Sequence, residues 1–220
     1  LTGVQLNHYG ADLKNTDLAV LIDSILQHTA IPRLRLSSVE PWNLPEGFFK
    51  LFTSPRLCRH FHLPLQSGCS ATLKRMRRPY SPEQYRKLVE NTLDAVPAAA
   101  ISTDIITGFP GESEEEFQES LQFIESLDFA HGHVFSYSPR PSTDAAQLPG
   151  RITERTIKER TREIRALFKK KKQAFRKKAL HKHVDVLWEK AEQGIDGKWT
   201  LSGFSDNYLR VHCVQSSLFG

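Results

Sequence analysis

Five short segments place polar or glycine residues directly after apolar stretches that are predicted to be β-strands. They are residues 3–10, 37–41, 65–68, 108–112 and 137–141. In parallel α/β proteins, ligands bind beyond the carboxyl ends of the strands, so segments of this kind meet at one rim. Several polar groups that converge on one rim are what a ligand site requires. The sequence therefore predicts a binding site built from these five segments.

Each segment also has an ordinary structural explanation, and the residue types alone leave both open. Gly108 and Gly111 could supply only the turn conformations that other residues avoid. Glu40 could be a solvated loop carboxylate, and Ser67 could be the cap of a following helix. Arg140 could pair with a surface carboxylate.

Several classes of chemistry find no support in the sequence. It contains neither a Gly-x-Gly-x-x-Gly run nor a Walker lysine, and neither a Ser-His-Asp order nor His-Glu-x-x-His. Cys58, Cys69 and Cys213 are too few and too scattered for a disulfide framework, so a reducing cytoplasm is expected. No apolar run is long enough to cross a bilayer, and the first residues lack the features of a signal peptide.

The elements that position these segments alternate between strand and helix at steps of roughly 30 residues, the size of a βα unit. Predicted strands cover residues 1–6, 33–37, 61–65, 98–107 and 133–137. Predicted helices have apolar faces within residues 18–26, 85–93 and 117–127, and the last two begin at the capping residues Ser81 and Ser113. Repeated units of this kind predict an α/β fold with a parallel sheet, either open or curved into a barrel.

The pattern changes near residue 140, after which a long helix is predicted from about Thr153 to His181. Alternating apolar residues then predict antiparallel strands at 184–188, 199–204 and 208–214. We therefore expect residues 1–150 to form the α/β unit, 151–182 a helix that packs on it, and 183–220 a small β domain. Since the chain starts at Leu1 within an apparent strand, we expect it to begin inside a larger protein.

The long helix carries most of the basic charge of the chain. Residues 155–182 contain 13 Lys and Arg against 2 Asp and Glu, a local charge of +11, while the whole chain carries +5 and the remainder is therefore acidic. Such a stripe would attract a phosphate backbone, although a charged helix face is often merely solvated. Trp188, Trp199 and Tyr208 could stack on bases, but two tryptophans in so small a β domain more often form its core.

Six motifs in order resemble the radical S-adenosylmethionine methylthiotransferases, most closely the branch that modifies threonylcarbamoyladenosine in tRNA. They lie at residues 1–4, 35–41, 57–68, 76–80, 103–112 and 135–141, and residues 205–211 resemble the small RNA-binding TRAM β-barrel. The resemblance covers essentially the whole chain. It implies a partial (β/α)6 barrel, followed by the long basic helix and an incomplete TRAM-like barrel.

The family resemblance also implies the ligands and the residues that meet them. S-adenosylmethionine would bind at Gly3, Ser38, Glu40, Gln66, Ser67, Gly108 and Gly111. Tyr137 and Arg140 would lie nearer the substrate, and tRNA would be held by Lys169, Lys171, Arg176, Lys178 and Tyr208. Individual catalytic roles are not implied.

In this family a [4Fe–4S] cluster is held by a Cys-x3-Cys-x2-Cys loop, and a further domain holds a second cluster. This sequence has no such loop, and its three cysteines do not reproduce the spacing, so no metal ligand is predicted in the chain. Cys69 stands where the family more often has Ser. We expect the clusters, and the reductant that serves them, to belong to the parent protein.

The resemblance implies that a 5′-deoxyadenosyl radical removes hydrogen from C2 of the modified adenine next to the anticodon, where a methylthio group then replaces it. Two alternatives remain open: the sister branch that modifies a ribosomal protein, and a non-catalytic RNA-binding fragment. Residues 57–60 and 207–209 favour tRNA. A monomer in the cytoplasm is expected, with no membrane partner.

Overall fold

The computed structural model describes residues 1–217. Its α-helices are α1 (Leu18–His28), α2 (Ser70–Arg75), α3 (Pro82–Ala95), α4 (Glu114–Ser126) and α5 (Glu154–Lys178). Its strands are β1 (His60–His62), β2 (Ala100–Thr107), β3 (His131–Ser136), β4 (Val186–Gln193), β5 (Trp199–Ser205) and β6 (Arg210–Gln215). The fold is α/β with one parallel sheet, as the sequence predicts.

Strands β1, β2 and β3 form this parallel sheet in the order in which they occur along the chain. Ser102 lies opposite His62 on one side and opposite His131 on the other. Connections between parallel neighbours run through helices, with α2 and α3 between β1 and β2 and with α4 between β2 and β3. The carboxyl ends of the three strands therefore face the same side of the sheet.

The two predicted strands at residues 1–6 and 33–37 are wrong. Residues 33–38 make only single parallel bridges, Leu34 with Leu57 and Ser38 with His62. Leu1 is joined to this segment by two bonds, since its amino group donates to the Arg35 carbonyl and its carbonyl accepts from Ser37 N. Both segments lie beside the parallel sheet, but they lack the continuous ladder of hydrogen bonds that defines a strand.

Capping explains where the predicted helices α3 and α4 begin. Ser81 and Ser113 each accept a bond from the third residue of their helix, and Gln84 and Glu116 reach back to the backbone of the capping residue. This reciprocal capping box satisfies amides that a helix start otherwise leaves unpaired. Below these helices, the buried core includes Tyr85, Phe117, Ile101, Ile105 and Ile124.

Helix α5 packs along β3 through a close approach at Gly132. A Cβ atom at Gly132 would collide with the ring of Phe168, so only glycine lets the helix reach the strand. The helix ends at Lys178, three residues before the position predicted from the sequence. Among residues 1–217, no helix is both long and apolar enough to cross a membrane.

Strands β4, β5 and β6 form a separate antiparallel sheet, with an irregularity in the register between Trp188 and Lys190. Within the described residues it is an open sheet of three strands, so the expected closure into a barrel stays a prediction. Trp188 and Trp199 are half-buried. The part of the predicted β domain at residues 218–220 lies outside the described residues.

The turn between β5 and β6 docks on the amino ends of the parallel strands. Arg59 Nε donates to Asp206 Oδ2 at 2.6 Å, and Asn207 Nδ2 donates to the Ala98 carbonyl at 3.0 Å. Arg33 Nη1 donates to the Phe204 carbonyl at 2.7 Å. These bonds hold the antiparallel sheet at the end of the parallel sheet that lies away from the predicted ligand rim.

Candidate functional site

The segments that follow β1, β2 and β3 lie side by side at the carboxyl end of the parallel sheet, as the sequence predicts. Gln66 N donates to the Asp104 carbonyl at 2.8 Å, and the Gln66 carbonyl accepts from Ile106 N at 2.9 Å. Tyr137 N donates to the Thr107 carbonyl at 2.9 Å. Gln66 adopts a left-handed φ of 67°, which turns the chain away from the sheet at the rim.

Glu40 is held at this end of the molecule by a residue that the sequence reasoning did not single out. Asn7 Nδ2 donates to the carbonyls of Glu40 and Trp42 at 2.9 and 2.7 Å, and Asn7 Oδ1 accepts from Glu40 N at 3.1 Å. Glu40 Oε2 is buried and has no hydrogen-bond partner among residues 1–217. An asparagine directly after an apolar stretch was the available signal for this clamp.

A second buried polar atom without a partner is the hydroxyl of Tyr137. Its ring packs edge-on against Phe109 with ring centres 5.3 Å apart, so the side chain is held in the rim by the loop after β2. Arg140 is exposed, and its carbonyl accepts from Thr143 N at 3.0 Å. Gly3 is also exposed, and Ser38 is half-buried.

The structural explanation is sufficient for Gly108, whereas the suggestion that Ser67 caps the following helix is wrong, because the N-cap of α2 is Cys69 and no side chain caps that helix. Ser67 is buried, and its Oγ accepts from the Cys69 amide at 3.2 Å. Gly108 adopts φ +75°, and a Cβ there would collide with the side chain of Ile157 on α5. Gly111 (φ +77°) donates its amide to the Gly150 carbonyl at 2.8 Å. A ligand role for these three residues stays a prediction.

The loop after β2 is anchored on α5 by a buried ion pair. Glu112 Oε2 accepts from Gly108 N and from Arg160 Nη1, both at 2.8 Å. Burial raises the pKa of the Glu112 carboxyl in spite of these two bonds, which act in the opposite direction. Arg160 Nη2 donates to Glu114 Oε2 at 3.0 Å. Removing one partner of such a pair leaves a buried charge uncompensated, at a cost of about 3–5 kcal/mol.

A polar chain on the inner face of the sheet was missed at the sequence level. His62 lies between Ser102 Oγ, 2.9 Å from its Nδ1, and Asp104 Oδ2, 3.2 Å from its Nε2. His60 Nε2 lies 3.3 Å from the same Ser102 Oγ. On β3, His131 and His133 pack ring to ring at 4.7 Å. The signal was a histidine, serine or aspartate at every second position of buried strands, which places all of them on one face.

Two of these histidines are kept neutral by burial. Desolvation lowers the pKa of His60 to about 3, with a further contribution from the Arg35 charge. Desolvation also lowers the pKa of His131 to about 4, assisted by Lys172. Both imidazoles therefore remain uncharged at neutral pH.

The basic residues of α5 divide into two groups with different surroundings. Lys171 Nζ donates to the carbonyls of Glu125 and Leu127 at 2.8 and 2.6 Å, which caps the carboxyl end of α4. Lys178 pairs with Asp128 at 2.9 Å. Lys169 and Arg176 are exposed, and the side chain of neither forms a hydrogen bond or ion pair with a described residue. Only the second group is open to a phosphate backbone without first breaking protein contacts.

The ring of Tyr208 is partly covered by two neighbouring side chains. Phe204 stacks on it at 4.4 Å, and the Arg35 guanidinium lies 4.3 Å from its ring centre. These two neighbours occupy much of the ring surface, although the residue as a whole is 42% exposed. Stacking of a base on Tyr208 stays a prediction.

Comparison with known proteins identifies the family. Residues 8–124, more than half of the chain, match the Radical SAM superfamily. The chain belongs to this superfamily. Coproporphyrinogen III oxidase from Escherichia coli has the same fold over 69% of this chain and 36% of its own, with 14% identity and a TM-score of 0.56.

Relatives of this radical SAM chain include proteins with higher identity. The threonylcarbamoyladenosine tRNA methylthiotransferases of Bacillus subtilis and Thermotoga maritima are 32% and 36% identical over 96% and 97% of the chain. The tRNA-2-methylthio-N(6)-dimethylallyladenosine synthase of Helicobacter pylori strain G27 is 40% identical over 69% of the chain. The chain covers 47%, 48% and 36% of these three proteins, so it spans about half of their length or less.

The radical SAM superfamily implies S-adenosylmethionine, and the rim fits such a ligand. Glu40 Oε2 and the Tyr137 hydroxyl are buried polar atoms without partners in the described chain, and both lie on segments of the rim. A carboxylate oxygen accepts bonds from ribose hydroxyls or an amino group, and a phenol can donate or accept.

The superfamily also implies a [4Fe–4S] cluster, which the cysteines of this chain do not fit. Cys58 and Cys69 are buried, and burial raises the pKa of both thiols. Cys69 donates to Glu119 Oε2 at 3.1 Å, and Cys213 lies on β6. Within residues 1–217 no three His, Cys, Asp or Glu side chains are arranged to hold a metal ion. Iron–sulfur clusters need several thiolates gathered at one place.

Proposed function

We propose that this chain is part of a tRNA methylthiotransferase that adds a methylthio group to C2 of N6-threonylcarbamoyladenosine next to the anticodon. The observation that carries the proposal is the match to three methylthiotransferases named for that nucleoside, at 32–39% identity over 85–97% of the chain. The parallel sheet would form part of a (β/α)6 barrel and the terminal sheet part of a TRAM-like domain. The three-part division at residues 150 and 182 belongs to this proposal.

The rim at the carboxyl ends of the parallel strands would hold S-adenosylmethionine. When bound and reduced, this cofactor supplies the radical chemistry that activates C2 of the adenine. Glu40 would accept hydrogen bonds from the cofactor through its buried free oxygen, in a position that Asn7 maintains. Gln66 and Gly111 would contribute backbone at the same rim, with Ser38 and Gly3 beside them. Since the cysteines do not group, we assign the cluster and its reductant to other parts of the protein.

The substrate would lie on the α5 side of the molecule. Tyr137 and Arg140 extend from the end of β3, and Lys169 and Arg176 are the predicted tRNA contacts whose side chains have no partner within residues 1–217. Charged contacts of this kind position RNA without reading its bases. A monomer in the cytoplasm completes the proposal, in agreement with three free thiols.

A second candidate substrate is N6-dimethylallyladenosine. Synthases named for its 2-methylthio derivative are 33–40% identical to this chain, which is as high as the first group. Coverage of the chain does not separate the two groups either, at 85–97% for the first and 69–98% for the second. The choice between the two nucleosides therefore rests on the motif resemblance, and the binding experiment below decides it.

Binding of anticodon stem-loop RNA distinguishes the two substrates. We expect this chain to bind a stem-loop with threonylcarbamoyladenosine next to the anticodon more tightly than the same RNA with dimethylallyladenosine or with plain adenosine, measured by fluorescence anisotropy. Tighter binding to the dimethylallyl form would favour the second candidate. Equal binding of all three RNAs would contradict recognition of the modified base by this chain.

A further inference from the structure

A cavity of about 600 Å³ lies on the inner face of the parallel sheet. Its walls come from residues 35–38, from inward-facing residues of β1, β2 and β3 as far as His62, Asp104 and His133, from one side of α5, and from the turn between β5 and β6. At Ser38, His62 and Asp104 the cavity approaches the predicted cofactor rim, which begins where the same strands end. Of the residues predicted for binding, Ser38, Arg176 and Tyr208 line this cavity.

The lining of the cavity is strongly cationic. Arg35, Lys172, Arg176 and Arg210 point positive charge at it, and none of the four has an ion-pair partner among residues 1–217. Asp104 is the one carboxylate of the described lining, and it is paired with His62 at 3.2 Å. Uncompensated cations from separate elements that face one cavity favour an anionic occupant.

Two of these cations are held in place by aromatic stacking. Arg35 lies over Tyr208, Tyr208 stacks on Phe204, and Arg210 lies over Phe204 at 5.2 Å. A guanidinium that lies flat on a ring keeps the N–H groups along its edge available. Such an edge matches two oxygens of a phosphate group.

Buried nitrogens without partners add a second observation that points to a ligand. His60 is 7% exposed and lines the cavity, and its Nδ1 has no hydrogen-bond partner among the described residues. His131 also lines the cavity, and its buried Nδ1 likewise has no hydrogen-bond partner among the described residues. In the tautomer that accepts from Ser102 at Nε2, the neutral His60 ring carries a proton on Nδ1 and can donate it. Buried polar atoms are normally satisfied, so these two indicate a missing partner.

The wall formed by the β5–β6 turn is rigidly anchored. Ser205 Oγ donates to Asn207 Oδ1 at 2.7 Å and accepts from Leu209 N at 2.9 Å. Asn207 and Asp206 are tied in turn to Ala98 and Arg59. A site held in this way loses little conformational freedom on binding.

We propose that this cavity, on the inner face of the parallel sheet, binds a phosphate group of a ligand of nucleotide size. Cations from residue 35, from α5 and from β6 surround the phosphate, and His60 donates from the floor. The volume lies within the usual range for small-molecule sites. The phosphate belongs either to a free nucleotide or to an RNA strand. This inference rests on the cavity alone and does not depend on the proposed transfer of a methylthio group.

The test compares two double variants of the same helix. Lys172→Gln with Arg176→Gln removes two lining charges, and Lys171→Gln with Lys178→Gln removes two charges that contact the carboxyl end of α4 and Asp128 after it. Glutamine is close to lysine and arginine in helix propensity, so circular dichroism should show an intact helix in both. Affinities for pyrophosphate, adenosine 5′-diphosphate and a single-stranded RNA octamer are measured by titration calorimetry.

We expect the first double variant to lose at least tenfold in affinity for the probe that binds, and the second to lose less than twofold. Arg35→Gln, on the opposite wall, should cause a similar loss. If the lining variants weaken the binding of pyrophosphate and adenosine 5′-diphosphate, the site is assigned to a free ligand. If they weaken only the binding of the RNA octamer, the site is assigned to RNA. Equal losses in the two double variants, or no saturable binding of any probe, would overturn the phosphate site.

Discussion

Glu40 places one buried carboxylate oxygen without a partner, among residues 1–217, at the rim where the cofactor is proposed to bind. Its backbone is clamped by Asn7, so the side chain starts from a defined position. A hydrogen bond to a charged acceptor contributes about 1.5–3 kcal/mol. The carboxylate is therefore the residue on which binding of S-adenosylmethionine should depend most.

Glu40→Ala should weaken the affinity for S-adenosylmethionine by roughly 10- to 100-fold, the range that this bond energy gives. Folding should be unaffected, since Oε2 makes no hydrogen bond within the described chain. Titration calorimetry measures the affinity, and Glu46→Ala, which changes an exposed carboxylate, is the matched control. Unchanged affinity in a folded Glu40→Ala protein would remove Glu40 from the site.

Gly108 is a poor probe of the same site, for a reason visible only in the structure. A larger residue there would collide with Ile157 and would also have to adopt φ +75°. Loss of cofactor affinity in Gly108→Val would therefore report on the packing of α5 against the loop. The sequence alone could not separate a glycine that admits a ligand from one that admits a helix.

His60 makes the stability of the fold depend on pH in a defined window. Because its pKa is about 3 in the folded protein and about 6.5 when unfolded, the unfolded chain binds more protons between these values. The free energy of unfolding should therefore fall as the pH drops below about 6.5, by about 2 kcal/mol at pH 5 from this residue.

His60→Gln should remove this part of the pH dependence, measured by urea unfolding at pH 7 and pH 5. His212→Gln, which changes an exposed histidine on β6, is the control and should keep it. An identical pH dependence of unfolding in wild type and His60→Gln would show that His60 is not held neutral in the fold.

At the scale of elements, helix α5 joins the loop after β2, strand β3 and the end of α4. Arg160 binds Glu112, Phe168 packs on Gly132, and Lys171 caps α4. Seen only as a sequence, these basic residues form one continuous stripe. In the structure, some of these basic side chains bind other parts of the protein, and others remain exposed without a partner among the described residues.

This division predicts which lysines determine the salt dependence of RNA binding. Lys169→Gln with Arg176→Gln should reduce the slope of log K against log salt concentration by up to about one unit per lost phosphate contact. Lys171→Gln with Lys178→Gln should leave the slope unchanged, because those side chains contact α4 and Asp128. Filter binding with tRNA at several salt concentrations measures both slopes. The reverse pattern would place the RNA on the other side of the helix.

The elements that local sequence determines were predicted well. Capping at Ser81 and Ser113 and the apolar faces of the helices depend on residues three or four apart, so the sequence contains the whole signal. The segments at 1–6 and 33–37 were predicted as strands and are not, because a strand needs a partner ladder that apolarity alone does not guarantee.

The inner face of the sheet escaped prediction for a different reason. His60, His62 and Ser102 are separated by up to 42 residues and meet only when β1 pairs with β2. Within each strand they are single polar residues in apolar surroundings. The rim was predictable because one topological rule brings the ends of all parallel strands together, whereas the contents of the interior depend on register.

On the scale of the whole molecule, the parallel sheet presents two opposite ends to two different surroundings. The carboxyl end carries the rim with Glu40 and Tyr137, and the amino end is covered by the turn of the antiparallel sheet through Arg59 and Asn207. Substitutions at the ligand rim and substitutions at the contacts with the terminal sheet can therefore be tested separately. The proposal of a methylthiotransferase concerns the first end, and its substrate is the central claim.

Nucleoside analysis of tRNA tests that claim most directly. The gene that encodes this chain is deleted, total tRNA is digested, and 2-methylthio nucleosides are quantified by liquid chromatography and mass spectrometry. We predict that 2-methylthio-N6-threonylcarbamoyladenosine disappears while its precursor without the methylthio group accumulates, that the intact gene restores it, and that the gene with Glu40→Ala does not. Unchanged levels of this nucleoside in the deletion strain would contradict the account.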